Sequence, residues 1–512
     1  MGNAAQKVVF NTTILYGKMF VTAGITFYTT RVVLDILGDI DYGIYTLIAG
    51  VIAMLSFLNA AMTVSTQRYL SYHQGTNNLL MQKKVFSNSW ILHIVIGLII
   101  VLLLEIICPF LFDSVLNIPS QRLDVAKIIY HMMVISVFFT IISVPFTASL
   151  NAHENMLWIA VVNIIEVLLK LGVAVSLIFI SDSDKLVIFG VLTAFISLIS
   201  FLIYSFYCLK KYDECDIRHY CYDKPLMKEL TGYAGWNLFG VLCGMGRNQG
   251  LAVLLNLFFG TVINAAYGIA NQLAGQINFF SATMLRAINP QIMKSEGQND
   301  RKRMLKLSMS ACKYGFFLLA ILAIPAIFEM PAILGIWLKK VPDHTVAFCS
   351  LMLIGTLVKQ WTIGLQSAAQ ATGKIRVYQA VVGSLLLLNL PIAYILLKLD
   401  YPPYFVLISF ICVESIACFF RIFFLEKLAG LSIKEFVAKV FLKTMLPAFS
   451  SLVVCFFITE YVHWDFRFLL TFSLSCFIFI ITIYIAGLED EEKIALNGLL
   501  KKLRSILNIN RE

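Results

Sequence analysis

Charge is scarce in this chain of 512 residues: only 14% of positions are Asp, Glu, Lys or Arg, against a hydrophobic fraction of 59% and a mean hydropathy of +0.82. Soluble domains carry about 25% charge, so a water-soluble fold is excluded and an integral membrane protein is indicated. Long polar segments are missing too. The longest connections, around Lys210 to Leu230 and Asn289 to Lys306, run to about 20 residues, which leaves no room for a soluble catalytic or nucleotide-binding domain. No Walker-type phosphate loop occurs, so ATP hydrolysis by this chain is not expected, and no cofactor is called for. A cleavable leader is not evident, and the first apolar stretch reads as retained. Met1 and Gly2 are half of a myristoylation signal that Gln6 leaves incomplete. Most of the 11 Cys fall inside apolar stretches, where a small hydrophobe is the expected role and disulfides are not. Cys215, His219 and Cys221 share one connection and form the one candidate metal group, at a spacing that fits no standard zinc pattern.

What is present is apolar length. Fourteen stretches of about 20 residues are each long enough to cross a bilayer. Most of the 40 Lys and Arg fall in connections that share one side if the N-terminus is inside. Positive loops stay cytoplasmic, so both termini are expected there. The net charge of +10 is therefore a topology signal, with no nucleic acid needed to explain it. From Asp490 onward the chain turns amphipathic, with Ile494, Leu499, Leu503 and Ile506 at helical spacing among Lys501, Lys502 and Arg504. This suits the inner membrane surface.

The sequence also repeats itself. Tyr42, Gly43 and Ile44 return as Tyr267, Gly268 and Ile269; Pro109 and Pro119 return as Pro331 and Pro342; Leu150, Asn151 and Ala152 return as Ala369, Gln370 and Ala371. Three landmarks in one order, each displaced by about 220 residues, argue for two structural halves, a transporter signature. The expected organisation is a six-helix lobe over 1–215, a second over 216–430, helices 13 and 14 over 431–488, and a cytoplasmic tail over 489–512.

Cations stand where they are expensive. Lys18, Lys170, Arg247, Lys313, Lys359 and Arg421 fall within apolar stretches, and Arg31 and Arg286 lie near the ends of others. Six such residues facing lipid would cost roughly 15–20 kcal/mol on insertion scales, so they must snorkel, pair with acids or line a wet cavity. Lys170 follows Glu166 by four residues and pairs with it in the simplest reading; Arg421, two turns from Glu414, invites the same. Lys18, Arg247, Lys313 and Lys359 have no acid one turn away and are the best cavity candidates. Arg247 sits in a polar, glycine-rich interruption from Gly244 to Gly250, and Asn264, Asn271 and Asn278 give the next stretch a polar stripe. Such a stripe is either interhelical glue or a cavity wall with donors for sugar hydroxyls and phosphate oxygens. Pro145, Pro325, Pro391 and Pro447 are expected to kink their helices. Acids within the spans are few, with Glu105 and Glu329 read as unpaired. A cavity whose fixed charge is mainly positive selects an anionic cargo.

The run Thr30, Arg31, Leu34, Leu37 and Gly38, followed by Asp41, Tyr42, Gly43, Ile44 and Tyr45, resembles the opening of Wzx-type polysaccharide repeat-unit flippases, in the MATE/MurJ-like superfamily. The resemblance implies an all-α membrane protein of fourteen transmembrane helices, two pseudo-symmetric six-helix lobes plus a C-terminal pair. It implies movement of an undecaprenyl-diphosphate-linked oligosaccharide from the cytoplasmic to the periplasmic leaflet of the bacterial inner membrane by alternating access, without enzymatic chemistry. Its partners would be the lipid-linked anionic glycan, membrane lipids and a glycan polymerase. Basic cavity residues of that family would correspond to Lys18, Arg31, Arg247, Arg286, Lys313 and Lys359, with Asn271 from the polar stripe. Related drug exporters place a coupling carboxylate in the first helix; here that helix has Lys18 and no acid before Asp35, which disfavours drug export. A glycan polymerase or glycosyltransferase is disfavoured by the short outer loops and the internal repeat.

Overall fold

A computed structural model describes residues 2–53, 56–116, 118–180, 184–216, 221–338, 340–494 and 497–498. Nearly all of these are helical, and among them no strand occurs. The helices begin where short polar side chains can take up the first free amides. Asn78 caps α3 (Leu79–Phe110), Asn155 caps α6 (Met156–Ser176) and Asp184 caps α7 (Lys185–Lys211). Asp223 does the same for α8 (Lys224–Gly297) and Asp300 for α9 (Arg301–Phe328). Left-handed glycines close two others: Gly373 ends α12 (Ile363–Thr372) and Gly430 ends α15 (Phe405–Ala429).

Two helices are too long to be single crossings. In α1 (Gly2–Ala53), Gly38 breaks the helix at φ 75°, ψ 171°; in α8, Gly260 breaks it at φ 77°, ψ −166°. Both conformations belong to the region that only glycine adopts without strain. Each glycine also stands just ahead of its copy of the Tyr-Gly-Ile landmark, so the sequence repeat marks the same bend twice. The third landmark behaves likewise. Ala152 ends the short helix α5 (Val144–Ala152), which follows a break after α4 (Leu123–Ile142), and Ala369 to Ala371 lie near the end of α12, which follows a 41° bend after α11 (Thr345–Gln360).

By length and composition ten helices pass as membrane spans, or eleven when the bent pair α11 and α12 counts as one. The expected fourteen exceeds this for two physical reasons. The break at Gly260 makes two rods of α8. The helix α2 (Ser56–Gly75), with Gln67, Arg68, His73 and Gln74, falls short in apolarity, and α1, bent at Gly38, is not among the ten. Pro145 and Pro391 sit at helix breaks, the latter just inside α14 (Asn389–Lys398) after α13 (Arg376–Leu387); Pro325 and Pro447 lie within the continuous helices α9 and α17 (Leu442–Tyr461).

The described chain forms two compact units. One comprises Lys7–Val241 with Met293–Asn299, the other Leu242–Ile292 with Asp300–Glu512 and Met1–Gln6. In the first unit Ile48, Ile129, Tyr130 and Val134 form a core with Ile100 and Leu104, and the Tyr130 hydroxyl donates to the Leu104 carbonyl at 2.6 Å. In the second, Leu251, Leu255, Ala266 and Ala270 of α8 pack with Leu319, Phe348, Leu353 and Leu407. Small residues let these helices approach closely, as membrane bundles require. Outward faces are apolar, for example Leu98, Leu102 and Ile106 on α3 and Phe449 and Phe456 on α17, matching a lipid environment.

An alanine methyl at Gly38 or Gly260 would meet no atom within 4 Å, so any cost is conformational. Replacing either by Ala is expected to destabilise by about 1–3 kcal/mol, read as a lowered thermal unfolding midpoint of purified protein. Gly17→Ala, at an ordinary helical position with equal space, should leave the midpoint unchanged or raise it.

Candidate functional site: buried charge in the helical units

The strongest concentration of buried charge lies in the second unit, where α8, α11 and α15 supply it. Arg247 of α8 donates from Nη1 to Glu414 Oε2 at 2.9 Å. Arg421, two turns along α15 from Glu414, places Nη2 2.8 Å from Glu414 Oε1 and donates from Nη1 to Thr362 Oγ1 at 3.1 Å. Glu414 is fully buried, and Arg247 and Arg421 are each 4% exposed. The Arg247 guanidinium also lies 4.3 Å from the ring centroid of Phe410, a cation–π contact. Lys359 of α11, half-buried, feels the charges of Glu414, Arg247 and Arg421 and has no ion pair of its own among the described residues. Thr362 lies in the break between α11 and α12. Irregular backbone at membrane depth is tolerated where polar partners satisfy it, and broken helices of this kind mark transporter binding sites. The cluster thus holds three cations against one carboxylate.

Two sequence expectations need correction here. Arg247 and Lys313 are not unneutralised cations. Lys313 of α9, 3% exposed, is bonded by both carboxylate oxygens of Glu492 at 2.8 and 2.6 Å. Neither acid is visible to a search one turn along the same helix, because each comes from a helix distant in sequence. Glu105 and Glu329 are not unpaired either. Glu105 accepts from His131 Nδ1 at 3.0 Å, and Glu329 binds Arg467 of α18 (Arg467–Thr482) at 2.9 and 3.1 Å as well as Thr471. Lys170 pairs with Glu166 at 2.7 Å, and Arg421 with Glu414, as the spacing suggested.

The other candidates stand apart. Lys18 donates to Asn163 Oδ1 at 2.5 Å, and the Asn163 amide donates on to the Tyr204 hydroxyl at 2.9 Å, a polar chain joining α1, α6 and α7 in the first unit. Arg31 and Arg286 are exposed, with no ion pair among the described residues. Asn271 spends its amide on the Tyr267 carbonyl one turn back at 3.0 Å, the helical-glue alternative. Cys215 is fully buried, its thiol donating to Ser149 Oγ at 3.5 Å; burial pushes that thiol well up, which opposes metal ligation. His219 lies outside the described residues, as do the tail positions from Leu499 onward. Sequence reading missed Arg122, which binds Asp41 at 2.8 Å through Nε and also Asp184. Only the fold brings those three residues together.

Similarity to known proteins follows the geometry. Residues 6–296 match the polysaccharide biosynthesis protein family, a segment that includes the Arg31 to Tyr45 run. The chain belongs to that family. No curated protein matches the chain significantly. Among solved structures, a crystal structure of a MATE protein in the bent conformation is 14% identical, covering 84% of this chain and 98% of its own at a TM-score of 0.71. An outward-facing multidrug resistance MATE transporter of the MOP superfamily is 13% identical, covering 82% and 95% at 0.70. A MOP superfamily transporter from Pyrococcus furiosus, described for the reversed polarity of its binding pocket, is 13% identical over the same shares at 0.69. At such identities the likeness shows the fold, which is the MATE fold. The family is that of polysaccharide biosynthesis proteins, and the fold is one that solved membrane transporters share.

Burial works to raise the Glu492 carboxyl, but its hydrogen bonds with Lys313 and the Glu489 amide hold it below the ordinary carboxylate value. A depressed folded-state value contributes stability that is present above the unfolded pKa of about 4.3 and is lost as pH falls through the folded value. The thermal unfolding midpoint of the purified protein should therefore fall on acidification below about pH 4. Glu492→Gln is expected to lower the midpoint at neutral pH and to flatten that acid limb.

Proposed function

We propose that this member of the polysaccharide biosynthesis family moves a lipid-linked oligosaccharide, carried on undecaprenyl diphosphate, from the cytoplasmic to the periplasmic leaflet of a bacterial inner membrane. The observation that carries the cargo class is the excess of cation over acid among Arg247, Lys359, Arg421 and Glu414 at a broken helix. Fixed positive charge within a low-dielectric bundle attracts an anion and repels a cation. The same excess disfavours the runner-up, an ion-coupled exporter of cationic drugs, and so does a first helix with Lys18 and no acid before Asp35.

On this reading six helices over 1–215 and six over 216–430 act as the moving lobes, with the pair over 431–488 and the tail over 489–512 appended and both termini cytoplasmic. Lys18, Arg31, Asn271 and Arg286 contribute donors along the path in addition to the buried cluster. The lipid headgroup replaces lost hydration with charge-assisted hydrogen bonds while its prenyl chain stays in lipid. Alternating access then exposes the headgroup to the opposite leaflet, with no covalent step. With the interior negative, outward passage of negative charge gains about 2.3 kcal/mol per charge per 100 mV, so the membrane potential supplies direction. A glycan polymerase is the natural consumer of the product.

In cells lacking the native gene, Lys359→Ala, Arg31→Ala and Arg286→Ala are expected to reduce surface glycan at least tenfold, about 1.4 kcal/mol of lost cargo binding, with membrane abundance unchanged. Arg247→Ala should lower both, since it leaves Glu414 buried with one partner fewer. Normal surface glycan from all four variants would overturn the assignment.

A further inference from the structure

The pairing of Glu414 is unfinished. Its Oε1 meets an Arg421 nitrogen at 2.8 Å, but Arg247 Nε, although buried, has no hydrogen-bond partner among the described residues. The cluster is also short of negative charge. Three cations face one carboxylate, and neither arginine can release a proton. Deprotonating Lys359 would remove one of the two excess charges; a phosphate-type dianion removes both. Guanidinium forks match carboxylate and phosphate oxygens alike, so what Glu414 now occupies is an oxyanion position. Lys359 is half-buried where Glu414, Arg247 and Arg421 are not, and the cluster sits beside the break at Thr362.

We propose that Glu414 is an internal place-holder, a carboxylate that holds Arg247 and Arg421 in the empty transporter and is displaced by a phosphate oxyanion, with Lys359 completing the occupied site. This adds Glu414, Arg421 and Thr362 to the binding machinery and rests on the anionic cargo proposed above. It gives the site a built-in release step. When the carboxylate returns to the guanidiniums it competes the cargo off, so binding is kept weak enough for turnover. A merely structural carboxylate would do the reverse, because its loss would scatter the arginines and weaken anion binding.

The test uses purified full-length protein, with inorganic pyrophosphate as probe and thermal unfolding as readout. Pyrophosphate should raise the wild-type midpoint, and Lys359→Ala should abolish the shift. Glu414→Gln, which keeps the shape and removes the competing charge, should tighten pyrophosphate about tenfold, some 1.4 kcal/mol, while slowing flipping in proteoliposomes. Glu414→Asp, whose shorter carboxylate loosens the same contact, should move both readouts the same way by less and serves if the Gln variant does not accumulate. Weaker pyrophosphate binding in whichever variant folds, or no wild-type shift, would overturn the place-holder. A short-chain prenyl diphosphate protecting at lower concentration than pyrophosphate identifies a lipid headgroup as the source, and equal protection identifies free phosphate. Wild-type vesicles that fail to flip lipid-linked glycan while Glu414→Gln still tightens pyrophosphate would reject the cargo reading and leave this site standing.

Discussion

Glu414 is the one carboxylate that allows two arginines to be stored inside the second helical unit. Removing a charge from water costs several kcal/mol even after relaxation, and at membrane depth no solvent repairs a mistake. With Glu414 wholly buried and Arg247 and Arg421 almost so, α8 and α15 are tied by charge as well as by the packing around Phe410 and Leu251. The break between α11 and α12 belongs to the same arrangement, since the Thr362 hydroxyl there accepts from Arg421. Function follows from what the pairing leaves over. Lys359 and one of the arginines have no matching negative charge, and in a low-dielectric bundle such a surplus is a standing demand for an anion.

The two units meet the burden of intramembrane polarity differently. In the first unit it is carried by neutral groups, by the Glu166–Lys170 pair along α6 and by pairs at the ends. Lys18 leans on Asn163 and Tyr204, and Arg122 gathers Asp41 of α1 and Asp184 ahead of α7, both distant in sequence. In the second it is carried by ions in the interior. A repeated architecture has thus been given unequal contents: the Gly38 and Gly260 bends are the same device, but the arginine-rich cluster has no counterpart at the landmarks they share. Glycine alone accepts those bends without strain, which explains why both positions hold glycine while the side chains around them differ.

The architecture was legible because hydropathy and periodicity are local properties. Apolar length marked the membrane, and the Tyr-Gly-Ile copies marked the internal repeat. The charge constellation was only half legible. Spacing along one helix exposed Glu166 with Lys170 and Glu414 with Arg421, since neighbours one or two turns apart share a face. The partner of Arg247 and that of Lys313 were beyond that reach, because Glu414 and Glu492 come to them through tertiary packing across 167 and 179 residues. The acidic run from Glu489 to Glu492 did carry a signal, four acids beside a basic cytoplasmic face. It was absorbed into the amphipathic tail.

Cargo recognition of this kind requires the α8, α11 and α15 cluster to accept an oxyanion. The most direct measurement is a structure of the full-length protein in a lipid nanodisc with a short-chain prenyl diphosphate bound. Phosphate density is expected within hydrogen-bonding distance of Arg247, Arg421 and Lys359, with the Glu414 carboxylate turned away. A headgroup bound elsewhere while Glu414 still bridges both arginines would contradict it.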